Sequence, residues 1–420
     1  MAGLSLGQLQ RYQENPTVVT LEKDFRNWNF SLPAVTACHE DRVDSTKLEQ
    51  AIRSRWRVSP GDDRYSYYQR FVTTVANADL FHLDGYSEFA DDITLDVDLK
   101  QLVIDVMLEQ QVKTSTSLGF IAKWIPVMTE AGVCYATNSM AIADVALSKP
   151  SGNYSESLPY TCKYSSMSCY IMFEVFNNVD FYIHSPYDVA DMTSSPSRTY
   201  VTLNRFTELG VSETRAGAGV RQLQRRRRRC LYTDEPTDHT RQVYSTNTCR
   251  LACRSSLAHQ LCGCVPFYYF YHAGPKCGVS GMRCLAAHAV PLAGARCVCG
   301  QPCVDALFRE IATDDQIWGR GPFHNKGSVR FTVQAPRARY TREIVFHFQD
   351  LVVSFGGAAG LFMGASFISF VEILFFVLQR CLCSKVEHKE LKEIKHSRIT
   401  FETTRIQNIS SILEGRRCYN

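Results

Sequence analysis

Ten cysteines between Cys230 and Cys303 decide the fold of this chain, and they include CRLAC at residues 249–253, CGC at 262–264 and CVCGQPC at 297–303. Short motifs of equal length recur in reverse order, because CRLAC and CGC in the first half are mirrored by CVC and CGQPC in the second. Two facing segments with mirrored spacing favour a nested set of bridges, because each disulfide needs Cα atoms within about 7 Å. Spacing alone leaves other pairings open, and zinc held by thiolates is the chemical alternative.

The distribution of cysteines along the whole chain favours disulfides over zinc. Of the 17 cysteines, 14 lie between Cys38 and Cys303, and the others are Cys381, Cys383 and Cys418. An even number confined to one stretch is typical of a region that folds in an oxidising compartment. The two-residue gaps of zinc ribbons and fingers are also missing. We therefore predict that this region carries disulfides and no metal.

An uncharged run of 21 residues, from Leu351 to Val371, follows the cysteine-rich region. Its length matches the ~20 residues that a membrane-spanning helix needs. Basic residues are denser after this run than before it, which predicts a cytosolic C-terminus and an extracellular cysteine-rich region. The first residues, MAGLSLGQLQRYQENP, contain neither the apolar core of a signal peptide nor a spanning helix. We therefore expect an upstream spanning helix that the chain as given lacks.

Composition and patterning elsewhere indicate an α+β fold. The 420 residues are 45% hydrophobic, which is enough for a large core. The runs TVVTLEKDF, FYIHSPY and GSVRFTVQ predict strands, whereas DVDLKQLVIDVMLEQ has the apolar spacing of a helix. A formal charge of +4 is small for this length, so nucleic acid is not an expected partner.

Several local motifs complete the pattern. Asn29 and Asn153 stand in N-x-S triplets and are predicted glycosylation acceptors. The run Arg225 to Arg229 is interpreted as a solvated surface turn, with a processing site or a patch for an acidic partner as alternatives. His184 is interpreted as a packed strand histidine without a functional role. Neither a zinc-binding HExxH nor a P-loop occurs, and we predict no enzyme and no cofactor.

The run GGAAGLFMGASFISFVE at residues 356–372 distributes its small residues unevenly. Projected as one helix, a set of small or polar residues falls within about 60° and forms a stripe. These residues are Ser354, Ala358, Ala365, Ser369 and Glu372. Glycines recur every four residues on another face, where a second helix can approach closely. A plain membrane anchor with an incidental glycine face is the alternative.

Together these motifs resemble the degenerin/epithelial sodium channel family, especially its pickpocket branch. The similarity rests on the cysteine spacing, on the run 356–372, and on FSLPAVTAC at 30–38, GVCYATN at 132–138 and YIHSP at 182–186. It implies an α+β fold with a large, disulfide-rich extracellular domain of palm, finger and thumb type, followed by a transmembrane helix. The implied boundaries are 1–343 for the extracellular domain with a thumb at 230–303, 344–379 for the pore helix, and 380–420 for the cytosolic tail.

The resemblance also implies the pairing of the cysteines. The implied pairs are Cys38 with Cys134, Cys162 with Cys169, Cys230 with Cys303, Cys249 with Cys299, Cys253 with Cys297, Cys262 with Cys284, and Cys264 with Cys277.

Particular residues of the pore helix also receive roles from the resemblance. In the family a Gly-x-Ser tripeptide is the selectivity filter, which implies that Gly364, Ala365 and Ser366 line the narrowest point. Val353 takes the position that governs gating. The implied pore-lining residues are Ser354, Ala358, Ser369 and Glu372.

The predicted function is that of a subunit of a sodium-selective cation channel that opens on an extracellular stimulus. Its expected partners are sodium as the permeant ion, membrane lipid, and related subunits in a homo- or hetero-trimer in the plasma membrane. Proton gating is not implied, because Ser354 stands where acid-sensing members carry an acidic residue. The alternative is a non-conducting, membrane-anchored receptor or regulatory subunit, which the expected lack of a first transmembrane helix favours.

Overall fold

A computed structural model describes the chain in segments and confirms a mixed α+β fold rich in disulfides. The described residues are 2–89, 92–119, 122–148, 158–165, 168–235, 242–320, 325–364, 366, 368–369 and 371–380. The chain forms two compact units. One is Thr17–Ile344, and the other combines Met1–Pro16 with Val345–Asn420. The tail predicted at 380–420 lies outside the described residues from position 381 onward.

Helices and strands alternate irregularly along the described segments. The α-helices are α1 (Ala2–Glu14), α2 (Ser45–Trp56), α3 (Tyr65–Asn77), α4 (Leu99–Val106), α5 (Arg225–Arg228), α6 (Thr246–Cys262), α7 (Val279–Ala286), α8 (Ala289–Ala293) and α9 (Phe348–Met363). The strands are β1 (Thr17–Glu22), β2 (Asn29–Ser31), β3 (Ala34–His39), β4 (Lys113–Thr116), β5 (Ile125–Thr129), β6 (Gly132–Thr137), β7 (Thr161–Lys163), β8 (Tyr170–Val175), β9 (Val179–His184), β10 (Ser197–Thr199), β11 (Leu203–Ala216), β12 (Asp305–Ile317), β13 (Gly327–Gln334) and β14 (Arg339–Ile344). The 3-10 helices are Phe25–Asn27, Asp84–Phe89, Ile93–Leu95, Ile142–Asp144, Val220–Gln222 and Phe267–Tyr269.

The larger sheet is organised around the long strand β11. Its described order is β1-β14-β11-β13-β8-β4, and β12 also pairs with β11. The first part of β11 runs parallel to β13, and its last four residues, Glu213 to Ala216, run parallel to Arg339 to Arg342 of β14. The long segment between β11 and β12 leaves the sheet at the end of β11 and re-enters it at the start of β12. These two strands are antiparallel neighbours, and Thr214 pairs with Asp305 where the segment departs and returns.

A second sheet, with the order β10-β9-β3-β6-β5, packs on the first through aromatic side chains. Strand β3 lies inside this sheet and is buried at every position, which explains why its sequence lacks alternation. Phe173 of β8 and Phe181 of β9 stack with ring centroids 5.0 Å apart, and Phe331 of β13 packs edge-on against both. These buried rings hold the two sheets together.

The elements predicted from periodicity are confirmed. The three predicted strands are β1, β9 and β13, and in β13 the buried positions alternate as its sequence requires. The predicted helix is α4, which is shorter than its pattern. The Asp98 side chain caps it by accepting the Gln101 N–H at 3.2 Å, and Met107 turns extended and bridges to Val43. Helices α2, α3 and α4 pack together into one apolar core with α6 and α7.

Candidate functional site

Helix α9 contains the first part of the predicted pore segment, and three residues separate it from the end of β14. Asp350 caps its first turn, because its carboxylate accepts the His347 N–H at 2.8 Å. A carboxylate at this position also interacts favourably with the positive end of the helix dipole. Local polar contacts thus determine where this apolar helix starts.

Gly364 ends helix α9. Its φ of +65° places it in the left-handed region, and its N–H donates to the Gly360 carbonyl at 3.0 Å. This is a helix C-cap for which glycine is strongly preferred, since a Cβ in this conformation costs about 1–2 kcal/mol. The apolar run continues beyond this point. The helix therefore ends because of the backbone conformation of a glycine, without any change in polarity.

Ser366 is non-helical and lies shortly before the helical residues 368–369. Its Oγ accepts the Ser369 N–H at 3.3 Å, and the hydroxyl oxygens of the two serines lie 3.3 Å apart. This is the geometry of an N-cap serine. Residues 368–369 and 371–380 are helical. Gly364 and Ser366 are both non-helical, so a break separates α9 from the helical residues at 368–369 and 371–380.

The predicted filter tripeptide coincides with this break. Gly364 and Ser366 lie within it, and Ala365 lies outside the described residues. The projection of the whole run as one helix is only approximate across this tripeptide, where the family resemblance implies a break, because the left-handed Gly364 interrupts the periodicity. The remaining predicted pore residues are divided between the segments. Val353, Ser354 and Ala358 belong to α9, whereas Ser369 and Glu372 follow the break.

Two further observations concern this segment. No helix among the described residues is both long enough and apolar enough to cross a membrane. The N-terminal helix α1 packs against the start of α9, where the Tyr12 ring lies 6.4 Å from the Phe346 ring and 6.3 Å from the Phe348 ring. The Val345 N–H also donates to the Pro16 carbonyl at 2.9 Å. Residues near the N-terminus thus contact the first turn of α9 and the residues just before it.

The cysteine-rich segment, residues 230–303, contains five nested disulfides. Disulfide bonding of the chain is thereby confirmed, and the pairs are those that the resemblance implies. They are Cys230–Cys303, Cys249–Cys299, Cys253–Cys297, Cys262–Cys284 and Cys264–Cys277. Cys262–Cys284 joins α6 to α7, and Cys249–Cys299 and Cys253–Cys297 join α6 to the segment that follows α8.

Two more disulfides lie outside this segment. Cys38–Cys134 joins β3 to β6 in the second sheet, and Cys162–Cys169 closes a short loop. The predicted glycosylation acceptor Asn29 is exposed at the start of β2. The other acceptor, Asn153, lies outside the described residues. Glycosylation stays a prediction for both.

One group of potential metal ligands occurs among the described residues. The sulfurs of Cys262 and Cys284 and a ring nitrogen of His288 lie within 4.8 Å of one another. Both sulfurs are already joined in a disulfide, and the His288 Nδ1 lies 2.9 Å from the Cys284 carbonyl oxygen. A zinc site requires thiolates, so this group does not fit the metal.

A buried ionic cluster connects α6 with the turn between β5 and β6. The Arg254 guanidinium binds Glu130 in a bidentate manner at 2.6 and 2.8 Å, and contacts Asp191 at 3.1 Å. The Tyr269 hydroxyl donates a further hydrogen bond to Glu130. Burial alone would lower the pKa of Arg254, but the neighbouring charges outweigh burial and raise it. The guanidinium is therefore charged throughout the physiological pH range.

The sequence contains no signal for this cluster. Arg254 and Glu130 are 124 positions apart, and neither belongs to a motif. Arg254 directly follows Cys253, but the cysteine pattern predicts only the disulfide and indicates no role for the arginine. The ion pair between Arg254 and Glu130 forms only in the folded chain, where helix α6 packs next to the turn between β5 and β6.

His184 lies at the end of β9 and is held on both ring nitrogens. Its Nδ1 lies 3.0 Å from the Ser185 carbonyl oxygen, and its Nε2 lies 3.0 Å from the Thr36 hydroxyl. Burial lowers its pKa to about 4. A neutral ring fits these contacts, since Nδ1–H donates to the carbonyl and Nε2 accepts from the hydroxyl.

Asp188 caps the N-terminus of α6 from the loop after β9. Its carboxylate accepts the Val189 N–H at 2.8 Å and the Asn247 N–H at 3.1 Å. Burial raises its pKa to about 7, against the opposing effect of these hydrogen bonds. Folding thus lowers the pKa of His184 and raises the pKa of Asp188.

The two groups predict opposite dependences of stability on pH. The unfolded chain binds a proton at His184 near pH 6.5 and the folded chain only near pH 4, so the stability from this group is lost as pH falls between these values. Between these pH values we expect the free energy of unfolding of the His184→Asn variant to change by roughly 1–3 kcal/mol less than that of the wild type. The measurement is thermal unfolding of the purified chain between pH 4 and 7.

Asp188→Asn is the matched comparison. The folded state holds the Asp188 proton up to about pH 7, so its contribution to stability falls as pH rises from 3.8 toward 7. The variant should therefore gain stability relative to the wild type as pH rises. Parallel profiles for all three proteins would show that neither group couples folding to pH.

Comparison with known proteins identifies one matching family and two similar curated proteins. A model of the family described as amiloride-sensitive sodium channel matches residues 1–376. Pickpocket protein 28 of Drosophila melanogaster is 26% identical over 194 residues, which cover 39% of this chain and 32% of that protein. Pickpocket protein 11 of the same organism is 24% identical over 213 residues, which cover 45% of this chain and 38% of that protein. The matches thus span less than two fifths of either relative.

A similarity to a solved structure is weaker. The cryo-EM structure of a proton-activated chloride channel aligns with 90% of this chain and 93% of that chain at 7% identity, with a TM-score of 0.27. That score is too low to support an argument about fold.

The family match extends from α1 through the cysteine-rich segment and beyond the break at Gly364. It confirms the family that the cysteine spacing and the run 356–372 predict. The chain belongs to the amiloride-sensitive sodium channel family.

Proposed function

We propose that this chain is a subunit of a sodium-selective cation channel in which residues 364–366 line the narrowest part of the pore. The observation that carries the proposal is the break between α9 and the next helical segment, with Gly364 at φ +65° and the Ser366 hydroxyl as a cap. Family membership supports an ion channel and gives no support to an enzyme.

The break supplies the chemistry that a cation needs. The last carbonyls of an α-helix have no partner within the helix, and they carry its partial negative charge. At the end of α9 these carbonyls adjoin a glycine without a side chain and a serine hydroxyl. A ring of such oxygens from several subunits can replace part of the hydration shell of a cation. An anion would be repelled by the same groups.

The helix lengths also favour a span composed of two segments. The 16 residues of α9 rise about 24 Å, which is short of the ~30 Å hydrocarbon core. With the segment that follows the break, the apolar run is long enough. Irregular backbone within a membrane is tolerated where it lines a water-filled path. In this proposal Val353 has a gating role, and Ser354, Ala358, Ser369 and Glu372 face the conduction path.

The proposed assembly is a homo- or hetero-trimer of related subunits in the plasma membrane, surrounded by lipid. The unit Thr17–Ile344 is extracellular, where its disulfides are stable, and the C-terminus is cytosolic. The proposed domain boundaries are 1–343, with the thumb at 230–303, followed by 344–379 and 380–420. An extracellular stimulus that rearranges the thumb would open the pore.

The test is the substitution Ser366→Leu in cells that express the chain with its related subunits. We expect normal surface abundance with a current reduced at least tenfold, or a clear change in the sodium to potassium permeability ratio, because added bulk obstructs a filter of small groups. Gly364→Ala should act similarly, since its backbone conformation is unfavourable for alanine. Surface biotinylation and voltage-clamp recording give the two readouts.

Ser54→Leu is the matched control, because Ser54 is an exposed serine on helix α2. It should leave both current and selectivity unchanged. If the Ser366 and Gly364 variants reach the surface and conduct like the wild type, this segment does not line the pore. That outcome, or a wild-type chain that reaches the surface without conducting in any combination, would favour the anchored receptor or regulatory subunit.

A further inference from the structure

The arginine run at 225–229 has two structural roles in the folded chain. Arg228 points inward and is only 2% exposed, which contradicts the interpretation of the whole run as a solvated turn. Its guanidinium donates to the carbonyls of Leu223 at 2.9 Å and Cys230 at 3.0 Å, and forms an ion pair with Glu235. One arginine is thus an internal anchor for the helical turn α5.

The anchored turn presents its other arginines to solvent. Arg225, Arg226 and Arg229 are exposed. Arg221, four residues before α5, is also exposed, pairs with Asp234, and lies 4.9 Å over the Tyr232 ring. The Arg228 contacts fix the backbone of this turn, so the exposed guanidinium groups occupy a defined surface. We call Arg221, Arg225, Arg226 and Arg229 the arginine surface.

Proteolytic processing does not fit this geometry well. A protease that cleaves after basic residues needs an extended and accessible segment. Here residues 225–228 are helical, and Arg229 follows at φ +55° as the helix cap. Arg228 would have to leave its buried contacts before the run could bind in a protease cleft. Binding of an anionic partner requires no such rearrangement.

The position of the arginine surface decides which anion it meets. Gly219 lies against the Ile344 side chain, and an Arg342 Nη donates to the Arg228 carbonyl at 3.2 Å. The surface therefore adjoins the end of β14, which precedes α9 by three residues. In the proposed function, on which this step rests, that place is extracellular. Anionic phospholipids are concentrated in the cytoplasmic leaflet, so the outer leaflet offers little negative charge.

We propose that the arginine surface binds sulfated glycosaminoglycan chains outside the cell. Guanidinium groups form bidentate, charge-assisted hydrogen bonds with sulfate and carboxylate groups, and a repeating polyanion can engage several of them at once. Runs of basic residues are a typical feature of heparin-binding surfaces. The partner follows from this charge complementarity, and the anchored Arg228 explains why the surface is preformed.

The test measures binding of a size-defined heparin oligosaccharide to the purified full chain in detergent, by fluorescence anisotropy at several salt concentrations. In the triple variant Arg225→Gln, Arg226→Gln and Arg229→Gln we expect affinity to fall at least tenfold at physiological salt, with a shallower dependence on salt. The matched control replaces the exposed and dispersed Arg53, Arg64 and Arg283 with glutamine, which removes the same charge and should change affinity less than threefold.

Equal losses in the two triple variants would overturn the proposal, because binding would then follow net charge alone. Binding that is stronger to phosphatidylserine vesicles than to heparin would assign the surface to lipid and overturn it as well. Mass spectrometry that finds the chain cleaved at the run in expressing cells would favour the processing alternative. The channel recordings on Ser366 are independent, so either proposal can fail while the other stands.

Discussion

Replacing Arg254 with methionine is expected to destabilise the unit Thr17–Ile344 by about 3–5 kcal/mol. The Glu130 side chain is 1% exposed, and without Arg254 its carboxylate would be a buried charge with no cation beside it. The cost arises mainly from this uncompensated charge rather than from the loss of favourable contacts. Thermal unfolding of the purified chain in detergent should show a midpoint lowered by several degrees, and surface abundance in cells should fall.

The double variant Arg254→Met and Glu130→Leu separates charge from shape. Replacing both members of a buried ion pair with apolar side chains of similar volume is often neutral, so we expect much of the lost stability to return. Asp191 keeps Arg250 as a partner at 3.2 Å in both variants. A double variant as unstable as the single one would mean that the fit of α6, and not the ion pair, carries the energy.

Removal of the outermost disulfide, through Cys230→Ala with Cys303→Ala, is the second large effect. The bridge spans 73 positions, but Cys249–Cys299 remains closed inside it, so the loop that opens is only about 23 residues long. The loop-entropy relation then gives roughly 3 kcal/mol. Cys230 is 3% exposed and Cys303 is fully buried, so the vacated volume adds about 1 kcal/mol. Thermal unfolding and surface abundance are again the measurements.

Cys253→Ala with Cys297→Ala is the control for this prediction. The neighbouring bridge Cys249–Cys299 lies four and two positions away along the chain, so little additional freedom is released. Cys297 is also half-buried, which limits the cavity. We expect a clearly smaller loss than for the outermost pair. Equal losses would show that the position of a bridge in the nested set does not determine its contribution.

The local elements of this fold follow from the sequence because each depends on residues near in the chain. Strand β13 could be predicted from the alternation of Val329, Phe331 and Val333, and helix α4 from its apolar spacing. The nested disulfides follow a spacing that is mirrored within 230–303, together with the family resemblance. Each of these signals is either a short period or a motif.

The features that the sequence did not reveal depend on long-range contacts or on backbone conformation. Arg254 meets Glu130 across 124 positions, and Arg228 is buried within a run that looks uniformly polar. The break at Gly364 escapes a helical projection because its neighbours are as apolar as a continuous helix requires. Glycine tolerates both helical and left-handed conformations, so composition cannot distinguish between them.

The pairing of strand β11 has a mechanical consequence. The segment between β11 and β12 leaves and rejoins the sheet where Thr214 pairs with Asp305, and it also contacts β14 through the hydrogen bond from Arg342 to the Arg228 carbonyl. The same last residues of β11 pair with β14, whose final residue, Ile344, lies four positions before the first residue of α9. The last four residues of β11, Glu213 to Ala216, therefore pair with β14, and Thr214 among them also pairs with Asp305 of β12. A torque on the disulfide-bonded segment would therefore act on β14 directly, through the last residues of β11 and through the Arg342 hydrogen bond to the Arg228 carbonyl.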